Sequence, residues 1–261
     1  MTFIDIHAHV DFYDDKQVKE IVSRCEKAKV IFVNQGSRAD KLEKVLKLGE
    51  KYPKTAKLAL GVYPIDALSL SDKEIDSKID FIRKNAKKIV AIGEVGLDFH
   101  EDKDKSEEEK KKGREKQIKN FKKFIELSKE LDKPIIVHSR KAEKETAEIL
   151  EEMKIKKAIM HCFSGNFKLV QRIIDNKWFL TIPTSVTRSE HFQKVATITP
   201  IEQLFCETDT PYLHPDKMQR NNSPDNVIES YKKIAEIKKM NLNDVENKIE
   251  ESYKNLFVDQ I

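Results

Sequence analysis

Cysteine is scarce in this chain, and long apolar runs are absent. The three cysteines, Cys25, Cys162 and Cys206, are an odd number with no CxxC spacing, which argues against a disulfide framework and for a reducing compartment. No stretch approaches the ~20 consecutive apolar residues of a membrane helix. Residues 1–6 run directly into a strand-like segment, with no basic region followed by a long apolar one, so no secretory signal is expected and the protein is read as cytoplasmic. An excess of charge of one sign is also nearly missing, since 49 Lys and Arg face 45 Asp and Glu for a net +4. That balance permits a nucleic-acid partner without implying one. The densest charged run, residues 101–112, alternates in sign and reads as a solvated loop and helix start. Neither a linker nor an internal repeat is visible, and no obligate protein partner is inferred.

What is present is an alternation. Short apolar runs at residues 3–6, 30–33, 58–60, 89–92, 135–137, 158–160, 178–182 and 203–206 are separated by longer stretches of helical period. Val18, Ile21, Val22 and Cys25 mark one helix face, and Ile118, Phe121, Ile125, Ser128 and Leu131 mark another that Pro134 ends. Val227, Tyr231 and Ile234, then Ile249, Tyr253 and Leu256, predict two closing helices. Strands joined by single helices make right-handed crossovers and a parallel sheet, and eight such units can close. The 261 residues fit one α/β unit, a TIM-like (β/α)8 barrel with closing C-terminal helices spanning residues 1–261 as a single domain.

Six metal-ligating side chains sit at the ends of those runs: His7, His9, Glu94, His138, His161 and Asp209. A barrel gathers its strand ends on one face, and four imidazoles with two carboxylates suffice for two divalent ions. In Asp5-Ile6-His7-Ala8-His9, alternate residues of a strand share a face, so two imidazoles converge. Asp5 is placed to support them or to accept from a neighbouring backbone amide. Glu94 follows an apolar run and can bridge two cations, although a lone Glu there also reads as a helix cap or a salt bridge. His138 and His161 end consecutive strands in the same way. Asp209 can ligate and also accept a proton from attacking water, and Glu207, of the same parity, orients water or substrate or else makes a structural ion pair. Both are candidate catalytic residues. His100, His191 and His214 lack such placement and are read as surface residues; Cys162, directly after His161, could approach the site but reads rather as a small buried residue.

These residues lie in five ordered motifs, Asp5-Ile-His-Ala-His9, Gly93-Glu-Val-Gly-Leu-Asp98, Val137-His-Ser-Arg140, His161-Cys-Phe-Ser-Gly165 and Glu207-Thr-Asp-Thr-Pro211. Across nearly its whole length the chain resembles the TatD family of metal-dependent deoxyribonucleases. The resemblance implies a TIM-like barrel, a dinuclear centre and hydrolysis of DNA phosphodiesters, often as a 3′ to 5′ exonuclease. It would divide the ligands into His7, His9, Glu94 and Asp209 for one ion and Glu94, His138 and His161 for the other. Arg220-Asn221-Asn222-Ser223-Pro224 also resembles the family's stretch before its closing helices. One position departs from the pattern: Tyr63 stands where many members carry His.

The expected chemistry follows from charge. Paired cations activate water and stabilise both the attacking and the leaving oxygen, with Asp209 collecting the proton. Arg140, Arg220 and Tyr63 are the candidate substrate contacts, and a guanidinium fork matches phosphate oxygens. Imidazole-rich ligation favours Zn²⁺ or Mn²⁺, while the resemblance also allows Mg²⁺. The expected substrate is DNA, single-stranded or at 3′ ends. Two rivals share the barrel: an amidohydrolase-type amide or ester hydrolase, including one that deacylates aminoacyl esters, and a nucleic-acid-binding barrel without turnover. Many dinuclear amidohydrolases resemble one another in a bridging modified Lys, whereas Glu94 holds that place here and Lys87 and Lys88 precede the strand.

Overall fold

Eight parallel strands, each followed by a helix, pair in chain order in a computed structural model that describes residues 2–219 and 221–257. The strands are β1 (Phe3–Ala8), β2 (Val30–Gly36), β3 (Ala56–Leu60), β4 (Ala91–Gly96), β5 (Ile135–His138), β6 (Ala158–Met160), β7 (Phe179–Pro183) and β8 (Leu204–Glu207). The ring closes just beyond β8. His9 N donates to Thr210 O at 2.8 Å and Asp209 N to His7 O at 2.9 Å, with Ala8 and Thr210 bridged in parallel. The expected (β/α)8 barrel is therefore present, with all eight anticipated strands.

The helices are α1 (Asp15–Ala28), α2 (Leu42–Lys51), α3 (Asp72–Lys84), α4 (Glu107–Glu130), α5 (Glu143–Glu152), α6 (Phe167–Asp175), α7 (Glu190–Ile198), α8 (Val227–Lys238) and α9 (Leu242–Leu256). Three of them start at reciprocal caps, Asp14 with Gln17, Ser71 with Glu74 and Ser106 with Glu109, and such a cap contributes about 1 kcal/mol. Helix α1 buries Val18, Ile21, Val22 and Cys25, the stripe its spacing predicts. Helix α8 is tied to the first strand by Tyr231, whose hydroxyl accepts from Ile4 N at 3.0 Å and donates to Ile4 O at 3.2 Å. No helix of the described residues is long and apolar enough to cross a membrane.

The strand ends differ from expectation for local reasons. Strands β1 and β2 continue past their apolar runs because His7, Asn34 and Gln35 are buried inside the barrel rather than released to solvent. Asn34 accepts from Val10 N at 2.7 Å and donates to Asp11 at 2.8 Å, which fixes the loop after β1. A 3-10 turn at Ala86–Lys88 delays β4 to Ala91. Trp178 lies ahead of β7, buried, with its indole N–H donating to Ile155 O at 2.9 Å. Gly96 has φ 140°, and a Cβ there would lie 2.0 Å from His138 O, so glycine lets β4 lie close against β5 with Gly96 opposite His138.

Candidate metal centre

The six candidate ligands converge at the C-terminal mouth of the barrel, where α/β barrels build their sites. His7 and His9 bring Nε2 atoms within 3.2 Å of each other. Asp209 Oδ1 lies 3.7 Å from each, and Glu94 Oε2 lies 3.8 Å from His7 Nε2 and 3.6 Å from His9 Nε2. The other Glu94 oxygen faces away from that group. Oε1 stands 2.9 Å from His138 Nδ1 and 3.8 Å from His161 Nε2. One carboxylate thus reaches two clusters. His161 also joins a third grouping with His7 and Asp209, its ring stacked on that of His7 with centroids 3.5 Å apart.

Each of the two later histidines is held from behind by a carboxylate. His138 Nε2 meets Asp98 Oδ2 at 3.0 Å, and the same oxygen accepts from Tyr63 OH at 2.7 Å. His161 Nδ1 meets Glu207 Oε2 at 2.7 Å, while Glu207 Oε1 accepts from Cys162 N at 3.1 Å. Partners of this kind fix tautomer and ring orientation in metal-ligating imidazoles.

Electrostatics divide the carboxylates. Burial pushes the Glu94 carboxyl up, but His138, His161 and His9 outweigh it and hold the group at about 2. Asp98 is likewise held at about 2, against burial, by its hydrogen bonds from His138 and Tyr63. Asp209 goes the other way, raised to about 6 by burial and by the Glu207 and Glu94 charges, although His161 and His9 oppose the rise. His161 is raised to about 10, because Glu207, Asp209 and Glu94 overcome its burial. His7 is pushed well below its ordinary value by burial and by three neighbouring imidazoles.

These residues fit a divalent metal. His138 turns Nε2 to the ionised Asp98 and Nδ1 to the ionised Glu94, 2.9 Å away, a contact that a proton or a metal ion can satisfy. Nδ1 makes no hydrogen bond. Ligand atoms ~2.1 Å from one ion stand ~3 Å apart at right angles and farther at wider angles, which is the range of both clusters.

Several expectations change at this level. Asp5 does not reach either imidazole: Oδ1 accepts from His7 N at 3.2 Å and Thr208 N at 2.9 Å, and Oδ2 from Thr208 Oγ1 at 2.5 Å. Of the two roles open to Glu207, the geometry matches the structural ion pair: the residue is fully buried with both oxygens engaged, so it positions His161. Tyr63 does line the cavity, but its single hydroxyl proton goes to Asp98 and leaves none for a phosphate. Arg140 lines the cavity, Arg38 joins it unanticipated, and Arg220 lies outside the described residues. Cys162 is only partly buried and lines the cavity, and desolvation together with the Glu207, Asp209 and Glu94 carboxylates pushes its thiol up. His100, His191 and His214 are half-buried rather than open to solvent. None of the three joins the centre. Asp98 is the functional residue missed in the sequence, although it closes the Gly93-to-Asp98 motif.

The family model described as TatD related DNase matches residues 4–258. The chain belongs to the TatD-related DNase family. An uncharacterized metal-dependent hydrolase of Methanocaldococcus jannaschii, MJ1582, is 35% identical over 97% of this chain and 94% of its own length. The human deoxyribonuclease TATDN3 is 31% identical over 93% of this chain and 89% of its own. The crystal structure of the TatD homologue YJJV from Escherichia coli superposes with a TM-score of 0.87 over 98% of this chain and 97% of that one, at 23% identity. That likeness supports the fold. As a TatD-family protein the chain is a metal-dependent hydrolase, and its His, Glu and Asp clusters can bind metal.

Proposed function

We propose that this TatD-family hydrolase cleaves phosphodiester bonds of DNA as a 3′ to 5′ exonuclease with two divalent ions, Zn²⁺, Mn²⁺ or Mg²⁺. The observation that carries the reading is Glu94, which turns one oxygen to the His7, His9 and Asp209 group and the other to the His138 and His161 group. When bound, the ions supply Lewis acidity for water activation and for the charge on both reacting oxygens.

The chain's own residues do the rest. His7, His9, Glu94 and Asp209 hold one position, and Glu94, His138 and His161 the other. Asp98 and Glu207 keep the two imidazoles oriented. Asp209, a carboxylate at the edge of the first position, would take the proton of attacking water as general base. Arg140 and Arg38 receive the phosphate. Lys87 and Lys88 are exposed on the turn before β4, at the opposite end of that strand from Glu94, which speaks against the lysine bridge of amidohydrolase relatives. The free thiols of Cys25, Cys162 and Cys206 support a reducing, cytoplasmic setting.

The test offers metal-loaded protein single- and double-stranded DNA, RNA, aminoacyl esters and simple amides. Nucleotide release from DNA is the expected outcome. Turnover of esters or amides alone overturns the reading in favour of an amidohydrolase, and binding of DNA with no turnover of any substrate overturns it in favour of a scaffold.

A further inference from the structure

Among the described residues, the large apolar side chains that stand out into solvent are Phe12 (37% exposed), Phe167 (43%), Tyr212 (55%) and Met218 (86%). Phe12 lies in the turn after β1, Phe167 opens α6 after β6, and Tyr212 and Met218 lie in the segment after β8, so all four follow strand ends at the mouth of the barrel. Single exposed apolar residues scattered over a surface mean little, but their confinement to the face that carries the metal ligands marks a contact surface.

Phe12 and Tyr212 are built alike. Each lies three residues past a candidate ligand and donates its amide back to that residue, Phe12 N to His9 O at 3.1 Å and Tyr212 N to Asp209 O at 2.8 Å. The two turns leave adjoining strand ends, bridged at Ala8 and Thr210. The Phe12 ring also lies nearly parallel to that of His9, with centroids 4.9 Å apart at 23°. Both rings line one cavity of about 850 Å³ together with Arg38 and Arg140, the size of a small-molecule site and so room for the end of one strand.

We propose that Phe12 and Tyr212 form a stacking platform for unpaired bases at the end of a single strand, beside the phosphate received by Arg38 and Arg140. The proposal rests on the nuclease reading and names the side chains that would hold the strand end. Aromatic faces beside cations bind single strands because every base offers a π face whatever its sequence, and the guanidinium groups meet the backbone. Bases inside a duplex are already stacked on their neighbours. The platform therefore selects single-stranded or frayed ends over closed duplex.

The test is a single-stranded oligonucleotide with 2-aminopurine at its 3′ terminus and phosphorothioate linkages that resist cleavage, titrated with metal-loaded protein. Stacking quenches this base, so its fluorescence falls on binding. Tyr212→Ala should weaken binding about tenfold and remove most of the quench, while Tyr212→Phe keeps both. Binding by the wild type without a quench, or a quench that survives in both Tyr212→Ala and Phe12→Ala, overturns the platform and leaves the nuclease reading standing. If the same protein neither binds this strand nor cleaves its phosphodiester counterpart, the nuclease reading falls and takes the platform with it.

Discussion

His138 turns Nδ1 to Glu94 Oε1 at 2.9 Å while Asp98 holds its Nε2 at 3.0 Å. The imidazole is clamped between two carboxylates, one of which Tyr63 also engages. A proton or a metal ion can satisfy the first contact, and the exchange of one for the other governs the pH behaviour of the centre.

Metal binding should release protons. His161 is raised to about 10 and His138 is raised by Asp98 and Glu94 against its burial, so at pH 7 the metal-free chain carries protons that ligation must displace. Calorimetry at pH 7 in buffers of different ionisation enthalpy should read about one or more protons released per chain. Affinity should climb with pH from about 6, where Asp209 ionises, toward about 10, where His161 does. For folding of the metal-free protein the sign is set by which state holds the proton. His161 lends stability that is full below its ordinary 6.5 and lost as pH rises through about 10. Asp209 is a raised carboxyl, so it costs stability as pH rises from its ordinary 3.8 to about 6. Heats that do not change with buffer would contradict the account.

Asp98 should matter through metal affinity. Asp98→Asn is expected to weaken binding at the His138 position by about 10- to 100-fold, the usual loss when the partner of a ligating imidazole is removed. Tyr63→Phe should cost less and leave the salt dependence of DNA binding as it was. A flattened salt slope in Tyr63→Phe would return that residue to the phosphate path.

Asp209 and His138 should fail differently. Asp209→Asn keeps the shape and one oxygen but loses the basic carboxylate, so single-turnover DNA cleavage should fall by roughly 10²- to 10⁴-fold while metal is retained at His138 and His161. His138→Ala should lose metal, and excess metal should partly restore its rate. Near-normal cleavage by metal-loaded Asp209→Asn would remove Asp209 from the proton transfer.

The net charge of +4 and the two cavity arginines predict shallow electrostatic engagement. Affinity for a single strand should fall with salt at a slope of about 0.7 per phosphate neutralised, corresponding to a few contacts. Arg38→Ala and Arg140→Ala should each flatten that slope. Two variants with the wild-type slope would place the phosphates elsewhere.

Much of this architecture is legible in the sequence because burial imposes it. The apolar runs that mark the strands must enter a closed barrel, and a ligand one or two residues past such a run must appear at its mouth. His7, His9, Glu94, His138, His161 and Asp209 were placed on that ground. What escaped depends on neighbours remote in the chain. Asp98 finds its partner on β5, 40 residues away, and local alternation carries no trace of that. Alternation left the role of Glu207 open, because its partners His161 and Cys162 also lie some 45 residues away. Arg38, and the hydrogen bond that ties Tyr63 to Asp98, were beyond reach for the same cause, since both residues sit in loops after β2 and β3 whose course the mouth of the barrel decides.

The central claim is that Glu94 unites two metal positions in one hydrolytic centre, and counting ions tests it most directly. Protein purified without chelator and reconstituted should approach two divalent ions per chain by elemental analysis, and Glu94→Ala should lose both positions. Saturation of the wild type at a single ion, with the same content in Glu94→Ala, would contradict the account.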